Sequence, residues 1–264
     1  MLYTLYRISD GSNIKEKLKH ADKIHCLKNY LSVFGDKGLI VFTDNCKEKT
    51  INDIKALNAN VIELNGLGNA NSFKYILDYA IKNFNSSDYV YFLEDDYLHL
   101  EGAKETLLEG LEIADYVTLY DHPDKYVSYK NGGDNDNIID NGEESKVFLT
   151  KSSHWKITNS TTMTFAASVK TLFSDYKEWS YYKSKDYEAF QRISGQPLRF
   201  ITKIQVLKNK TGKNIKVEKK IKNALKFFKN LIIGKNKVLI VSIPGKSTHI
   251  EVKYLSPLID WNSV

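Results

Sequence analysis

An α/β fold on a mixed, mostly parallel sheet flanked by helices is what this sequence predicts, and three observations predict it. Short β-rich runs alternate with helix-spaced apolar patterns through the first half of the chain. The polar residues Arg7, Ser9, Asp10, Asp44 and Glu94-Asp95-Asp96 all fall where predicted strands end, which is where open α/β sheets bind ligands. No internal repeat is visible, which removes solenoids and propellers.

Taken in order, Leu2–Ile8 reads as the first strand. Asp22–Phe34 follows as a helix, with Ile24, Leu27, Leu31 and Phe34 at helical spacing. Gly38–Thr43 is a second strand ending at Asp44-Asn45, Ile51–Leu57 a short helix and Asn60–Leu64 a third strand. Asn71–Asn83 is a helix through Phe73, Ile76, Leu77, Ala80 and Ile81, with Asn71 or Ser72 expected as its N-cap after Gly66-Leu67-Gly68. Asp88–Leu93 is the fourth strand. Ala103–Ile113 is then a helix and Tyr116–Tyr120 a strand. Residues 131–145, rich in Gly, Asn and Asp, read as a loop. Lys146–Ile157 and Thr161–Ala166 read as strands, Val169–Leu172 as the start of a helical stretch and Lys185–Ile193 as a further helix.

The fourth strand carries the most informative residues. Tyr89-Val90-Tyr91-Phe92-Leu93 runs directly into Glu94-Asp95-Asp96. Three adjacent carboxylates repel one another and are costly to bury unpaired. A strand end at a cleft tolerates them when a divalent cation neutralises the cluster. Hard oxygen ligands suit Mg²⁺ or Mn²⁺, with phosphate oxygens completing the shell. The plainer reading is a solvated acidic turn, and the convergence of Arg7, Ser9, Asp10 and Asp44 on the same strand ends favours the metal.

Composition narrows the remaining classes. With 42% hydrophobic and 27% charged residues, the 264-residue chain has the make-up of an ordinary globular protein. No signal peptide is expected from Met1–Asp10, and no apolar run approaches the ~20 residues that cross a bilayer. Cys26 and Cys46 lie in no metal-ligand spacing and read as free thiols of a cytoplasmic protein. The net charge of +6 is uneven: residues 203–237 hold twelve Lys and one acid, Glu218, for +11, which leaves −5 elsewhere. In that segment Val217, Ile221, Ala224, Leu225, Phe228, Leu231 and Ile232 recur at helical spacing. This describes a basic amphipathic helix that either lies on an anionic membrane surface or packs its apolar stripe on the domain.

With these elements in place, the chain resembles nucleotide-sugar-dependent glycosyltransferases of the GT-A fold, the family-2-like bacterial and viral group. The residues that carry the resemblance are Glu94-Asp95-Asp96 as a DxD-type element, Arg7-Ile8-Ser9-Asp10, Asn69-Ala70-Asn71-Ser72-Phe73, Tyr116 to Pro123, His154-Trp155, Ser160 to Phe165 and Pro244 to His249. It covers most of residues 1–200 and resumes at 238–264; the segment 203–237 has no counterpart in it. The resemblance implies one catalytic domain, with a nucleotide-binding half at about 1–100 and an acceptor-binding half at about 101–202 and 238–264. It implies that Arg7, Ser9, Asp44, Ser72, Glu94 and Asp95 bind the nucleotide sugar, and that Asp96 and His249 hold Mn²⁺ or Mg²⁺. An inverting enzyme also needs a base for the acceptor hydroxyl. By position Asp186 takes that role, with Glu188 second, although an acid in the first turn of a helix is also an ordinary cap. His154, Trp155, Thr161 and Thr162 are expected to line the acceptor side; Trp155 has the alternative of a core aromatic with one polar edge.

The expected function is metal-dependent transfer of a sugar from a nucleoside diphosphate to a glycan or lipid-linked acceptor, in the cytoplasm or peripherally on the inner face of a membrane. A sugar-1-phosphate nucleotidyltransferase shares the sheet and the acids, but it calls for a glycine-rich loop after the first strand, where this chain offers only Gly11. A non-catalytic glycan-binding or basic nucleic-acid-binding protein is the other class. Against nucleic acid stand the acidic body and a basic segment without Arg or a stacking motif.

Overall fold

The computed structural model describes all residues except 12–14, 134–137, 139–141, 143–144 and 195–236. The amphipathic pattern of 203–237 and most of the polar 131–145 stretch therefore lie outside the described residues.

The first strands are β1 (Leu2–Ser9), β2 (Leu39–Asp44), β3 (Asn60–Leu64) and β4 (Tyr89–Glu94). They form a parallel block in the order β3-β2-β1-β4. The sheet continues through β9 (Phe165–Ser168), β6 (Tyr116–Thr118), β10 (Leu239–Ile243), β8 (His154–Ile157) and β7 (Val147–Leu149). Only β9 and β8 run against the others among the described strands. The result is the expected Rossmann-like α/β architecture. A separate ribbon pairs β5 (Tyr97–His99) with β11 (Ser247–His249).

Both sheet faces are covered, which explains why the central strands are apolar throughout. Period-two alternation sends Leu5, Val90 and Phe92 to one face and Tyr6, Tyr91 and Leu93 to the other. The first face packs on α3 (Gly68–Asn83), α5 (Val169–Ser174), α6 (Tyr176–Tyr182) and α7 (Asp186–Ile193) through Phe73, Leu77, Leu172, Trp179 and Phe190. The second packs on α1 (Lys23–Phe34), α2 (Glu48–Lys55) and α4 (Ala103–Ile113) through Leu27, Phe34, Ile54 and Leu107. A third core of Leu18, Ala21, Cys26, Leu98, Ile250 and Trp261 seats the β5–β11 ribbon.

Several expectations shift. The run read as one strand over Lys146–Ile157 is a hairpin, folded where Thr150 N donates to Ser153 O at 3.0 Å. Residues 161–164 turn instead of extending, with Thr162 and Met163 at φ 51° and 62°, and the strand begins at Phe165. Helix α3 starts at Gly68, earlier than Asn71, because its cap comes from Asp44 on a neighbouring strand. Trp155 is a core residue: fully buried, its indole N–H donates to Thr150 Oγ1 at 2.9 Å, and its ring lies where a Cβ on Gly110 of α4 would come within 2.7 Å. No ring face is left for a sugar.

Candidate active site

Parallel pairing of β1, β2 and β4 fixes which residues meet at the sheet edge. Arg7 is in register with Glu94, and Ser9 with Asp44. After Glu94 the chain turns at once into β5, whose antiparallel partner β11 sets His249 opposite Tyr97. A residue from the far end of the chain is thus delivered beside Asp96.

Each acid has a different set of neighbours. Arg7 Nη1 lies 3.4 Å from Glu94 Oε1. Ser9 N donates to Asp95 Oδ2 at 2.9 Å, and Lys23 Nζ lies 3.9 Å from the same oxygen. Asp96 Oδ2 is 2.9 Å from His249 Nε2 and 3.6 Å from Lys17 Nζ. Asp96 Oδ1 is buried and has no hydrogen-bond partner among the described residues. His249 Nδ1 accepts from Glu251 N at 3.1 Å, which turns Nε2 toward Asp96.

Electrostatics separates the three carboxyls. Burial, then the charge of Asp96, raises Glu94 to about 8 in spite of Arg7. Burial and Asp96 also raise Asp95, against the Ser9 N–H and Lys23. Burial opposes ionisation of Asp96 too, but the hydrogen bond and charge of His249 and the charges of Lys17 and Lys15 outweigh it, and its carboxyl sits below the ordinary range. Asp96 is therefore the most acidic of the trio, followed by Asp95 at about 6, and a carboxyl must be ionised to ligate a metal.

Other expected residues divide into those brought to this edge and those kept away. Asp44 is fully buried and accepts from Leu67 N and Gly68 N, both at 2.8 Å, and from Ser72 Oγ at 2.6 Å. The two residues hold the start of α3 against the strand ends. Asp186 stands at the first residue of α7, where its Oδ2 accepts from Thr161 N at 2.6 Å and Thr162 N at 2.8 Å. Thr162 O in turn accepts from Tyr97 OH at 3.3 Å, tying this turn to the acids. A cleft lined by Arg7, Asn69, Phe92, Glu94 and Met163 opens between α3 and the same turn. Glu188 is exposed, two residues further along α7 and so on roughly the opposite face of the helix from Asp186. His154 is exposed at the start of β8, four strands from β4, which is roughly 19 Å at ~4.8 Å per strand. His154 and Trp155 are thus outside the cluster, and Thr162 and Asp186 are next to it.

The sequence reading missed the lysines. Lys15 pairs with Glu251 at 2.7 Å, Lys17 faces Asp96, and Lys23 pairs with Asp10 at 2.6 Å. Nothing in their spacing announces this, because backbone pairing of 17 with 251 places Lys15 and Lys17, and the start of α1 places Lys23. His99 has a supporting role: Tyr91 OH lies 2.9 Å from its Nε2, Asn29 bonds its backbone on both sides, and burial pushes the ring down to about 3, so it stays neutral.

Of the expected metal ligands, Asp96 and His249 are brought together, 2.9 Å apart. Among the described residues, no group of three or more His, Cys, Asp or Glu side chains is arranged to hold an ion. A cation fits the Asp96 carboxylate, whose Oδ1 has no partner among the described residues, and His249 would join through Nε2 only in the other tautomer, which gives up the bond from Glu251 N.

No family model matches the chain, and no curated protein sequence matches it. Among solved structures it is similar to a CMP:2-keto-3-deoxy-manno-octonic acid synthetase complexed with CTP, at 15% identity over 71% of this chain and 82% of that one, TM-score 0.43. It is similar to the galactosyltransferase LgtC in complex with donor and acceptor sugar analogs, at 12% identity over 72% and 69%, TM-score 0.40. It is also similar to a mannose-1-phosphate geranyltransferase from Thermus thermophilus, at 10% identity over 91% and 73%, TM-score 0.43. Likenesses this loose carry no argument about activity. The α/β assignment stands on the strand order itself.

Proposed function

We propose that this protein is a divalent-metal-dependent glycosyltransferase that moves a sugar from a nucleoside diphosphate to a glycan or lipid-linked acceptor. The observation that carries the proposal is the Asp96–His249 pair at the C-terminal edge of β1, β2 and β4, with Asp96 held ionised and one of its oxygens unpartnered. Asp96 and His249 would hold Mn²⁺ or Mg²⁺, which when bound supplies Lewis-acid stabilisation of a departing diphosphate.

The chain's own groups supply the rest. Arg7 and Ser9, with Glu94, Asp95, Asp44 and Ser72, form the wall against which a nucleotide would lie. Asp186 is the proposed base for an inverting transfer. Its Oδ2 is anchored by two backbone N–H groups, while no described partner takes Oδ1, so a fixed carboxylate oxygen is left to accept the proton of an acceptor hydroxyl. The single Gly11 after β1 counts against the nucleotidyltransferase alternative, whose phosphate loop needs backbone amides at close range. The Lys-rich stretch 203–237 is proposed to hold the enzyme reversibly on an anionic membrane; among the described residues no helix is long and apolar enough to cross one.

A thermal-shift screen of nucleoside diphosphates, nucleoside triphosphates and nucleotide sugars, each with and without Mn²⁺, tests the assignment. A ligand that binds only the folded protein stabilises it by RT ln(1 + L/Kd), with L its free concentration, and so raises the melting temperature. A diphosphate or its sugar should shift the protein only with Mn²⁺ present, and Asp96→Asn should abolish that shift. Preferential stabilisation by a triphosphate would transfer the protein to the nucleotidyltransferases.

A further inference from the structure

The chain leaving β1 returns to the acids as an added strand. Leu18 N donates to Ile250 O at 2.9 Å, Val252 N to Glu16 O at 3.0 Å, and Ile250 N to Asp96 O at 2.9 Å. Lys17 itself bridges Glu251 in antiparallel fashion. The backbone at Lys17 is therefore paired with the segment that follows His249, which is itself bonded to Asp96, while its ammonium sits on a four-carbon stem with rotatable bonds. Its ammonium is 3.6 Å from Asp96 Oδ2, the oxygen that also faces His249. Lys15 and Lys23 are engaged elsewhere, by Glu251 and Asp10 at 2.7 and 2.6 Å. Among the described residues Asp96 is the carboxylate that Lys17 meets. A monovalent cation on a flexible stem thus stands where a divalent ion on Asp96 would bring its own charge.

We propose that Lys17 couples cation binding to diphosphate binding. In the metal-free protein it neutralises Asp96. When a divalent cation takes Asp96, the two positive charges repel, and the ammonium moves to a phosphate oxygen of the diphosphate on that cation. The inference rests on the metal reading of Asp96 and His249 given above. It assigns Lys17 opposite effects on the two ligands. It opposes the cation alone and favours the diphosphate once the cation is present, so the two bind with positive coupling.

The test measures Mn²⁺ binding by electron paramagnetic resonance, then inorganic pyrophosphate binding to the Mn²⁺-loaded protein by calorimetry, in wild type, Lys17→Met, Lys17→Arg and Asp96→Asn. Methionine keeps the apolar stem and removes the charge. Removing one charge a few ångströms from the ion should tighten Mn²⁺ binding about ten-fold in Lys17→Met. The same variant should weaken pyrophosphate about ten-fold, and Lys17→Arg should resemble wild type in both. If Asp96→Asn abolishes Mn²⁺ binding while Lys17→Met leaves it unchanged or weaker, the metal reading stands and the coupling role is wrong. A Lys17→Met protein that gains Mn²⁺ affinity without losing pyrophosphate overturns the coupling as well. Absence of Mn²⁺ binding in wild type and Lys17→Met alike removes the metal reading and the inference together.

Discussion

At Glu94, burial and the neighbouring Asp96 carboxylate oppose ionisation, and Arg7 at 3.4 Å favours it; the first two win and the group titrates at about 8 instead of 4.5. A folded-state pKa above the unfolded one means that the fold binds this proton more tightly than the open chain does. The stabilisation is fully present below about 4.5 and is lost as pH rises through about 8. Glu94→Gln cannot ionise, so in metal-free protein it should be more stable than wild type at pH 9 by about 1–3 kcal/mol, a figure discounted for the partial exposure of the side chain. Denaturant melts at pH 5 and pH 9 check this, with the difference between the two proteins nearly gone at pH 5. Asp186 is a second residue whose two roles separate by substitution. Asp186→Ala strands the N–H groups of Thr161 and Thr162 and should cost about 2–3 kcal/mol, while Asp186→Asn keeps an acceptor oxygen and should cost under ~1 kcal/mol. If Oδ1 is the base, the Asn variant nonetheless loses about 10²–10⁴-fold in rate with its melting temperature nearly intact. Retention of activity by Asp186→Asn would leave only the clamp.

Among the elements, α3 shows how a neighbouring strand overrides a local signal. Asn71 and Ser72 have the chemistry of N-caps, yet the helix begins earlier because Asp44 accepts from Leu67 N and Gly68 N at its start. An ionised carboxylate there also meets the positive end of the helix dipole. Burial opposes its ionisation, but the Ser72 hydroxyl and the two N–H groups outweigh burial and hold Asp44 below the usual carboxylate range. Asp44→Ala should destabilise the protein by about 2–4 kcal/mol, measured by chemical denaturation, through loss of charge-assisted bonds to a buried site. Cost on that scale would mark Asp44 as a brace of the nucleotide wall. The same contrast runs through the other elements. Ala103–Ile113 was legible to the residue because its helical period and its flanking Gly102 agree. The β7–β8 hairpin was not, because Lys151-Ser152-Ser153 lacks the Gly or Asn-Gly that marks a tight turn.

For the molecule as a whole, the sheet separates two poles. The acids, His249 and Asp186 gather at one edge. At the opposite edge α7 ends and β10 begins, with Lys237 N donating to Ile193 O at 3.2 Å and Lys237 Nζ 3.0 Å from Asp115. The flanks of residues 195–236 are therefore joined to each other by the described fold, away from the candidate active site. Replacing 195–236 with a short Gly/Ser linker should change the melting temperature by only a few degrees and preserve the Mn²⁺-dependent shift. Sedimentation with anionic vesicles should be lost in the same protein; equal sedimentation of both forms would end the membrane reading.

The sequence by itself determined the α/β class, most strand and helix positions, and the delivery of three acids to a strand end, because these follow from local periodicity and from the cost of crowding like charges. Tertiary structure alone brought the lysines to those acids and fixed the contacts that each acid makes. Lys17 and His249 reach Asp96 through backbone pairing between distant parts of the chain, and Trp155 is drawn into the core by the space that Gly110 leaves on α4. Neither result is encoded in any short stretch, since each depends on partners far apart in sequence that meet only when the sheet closes.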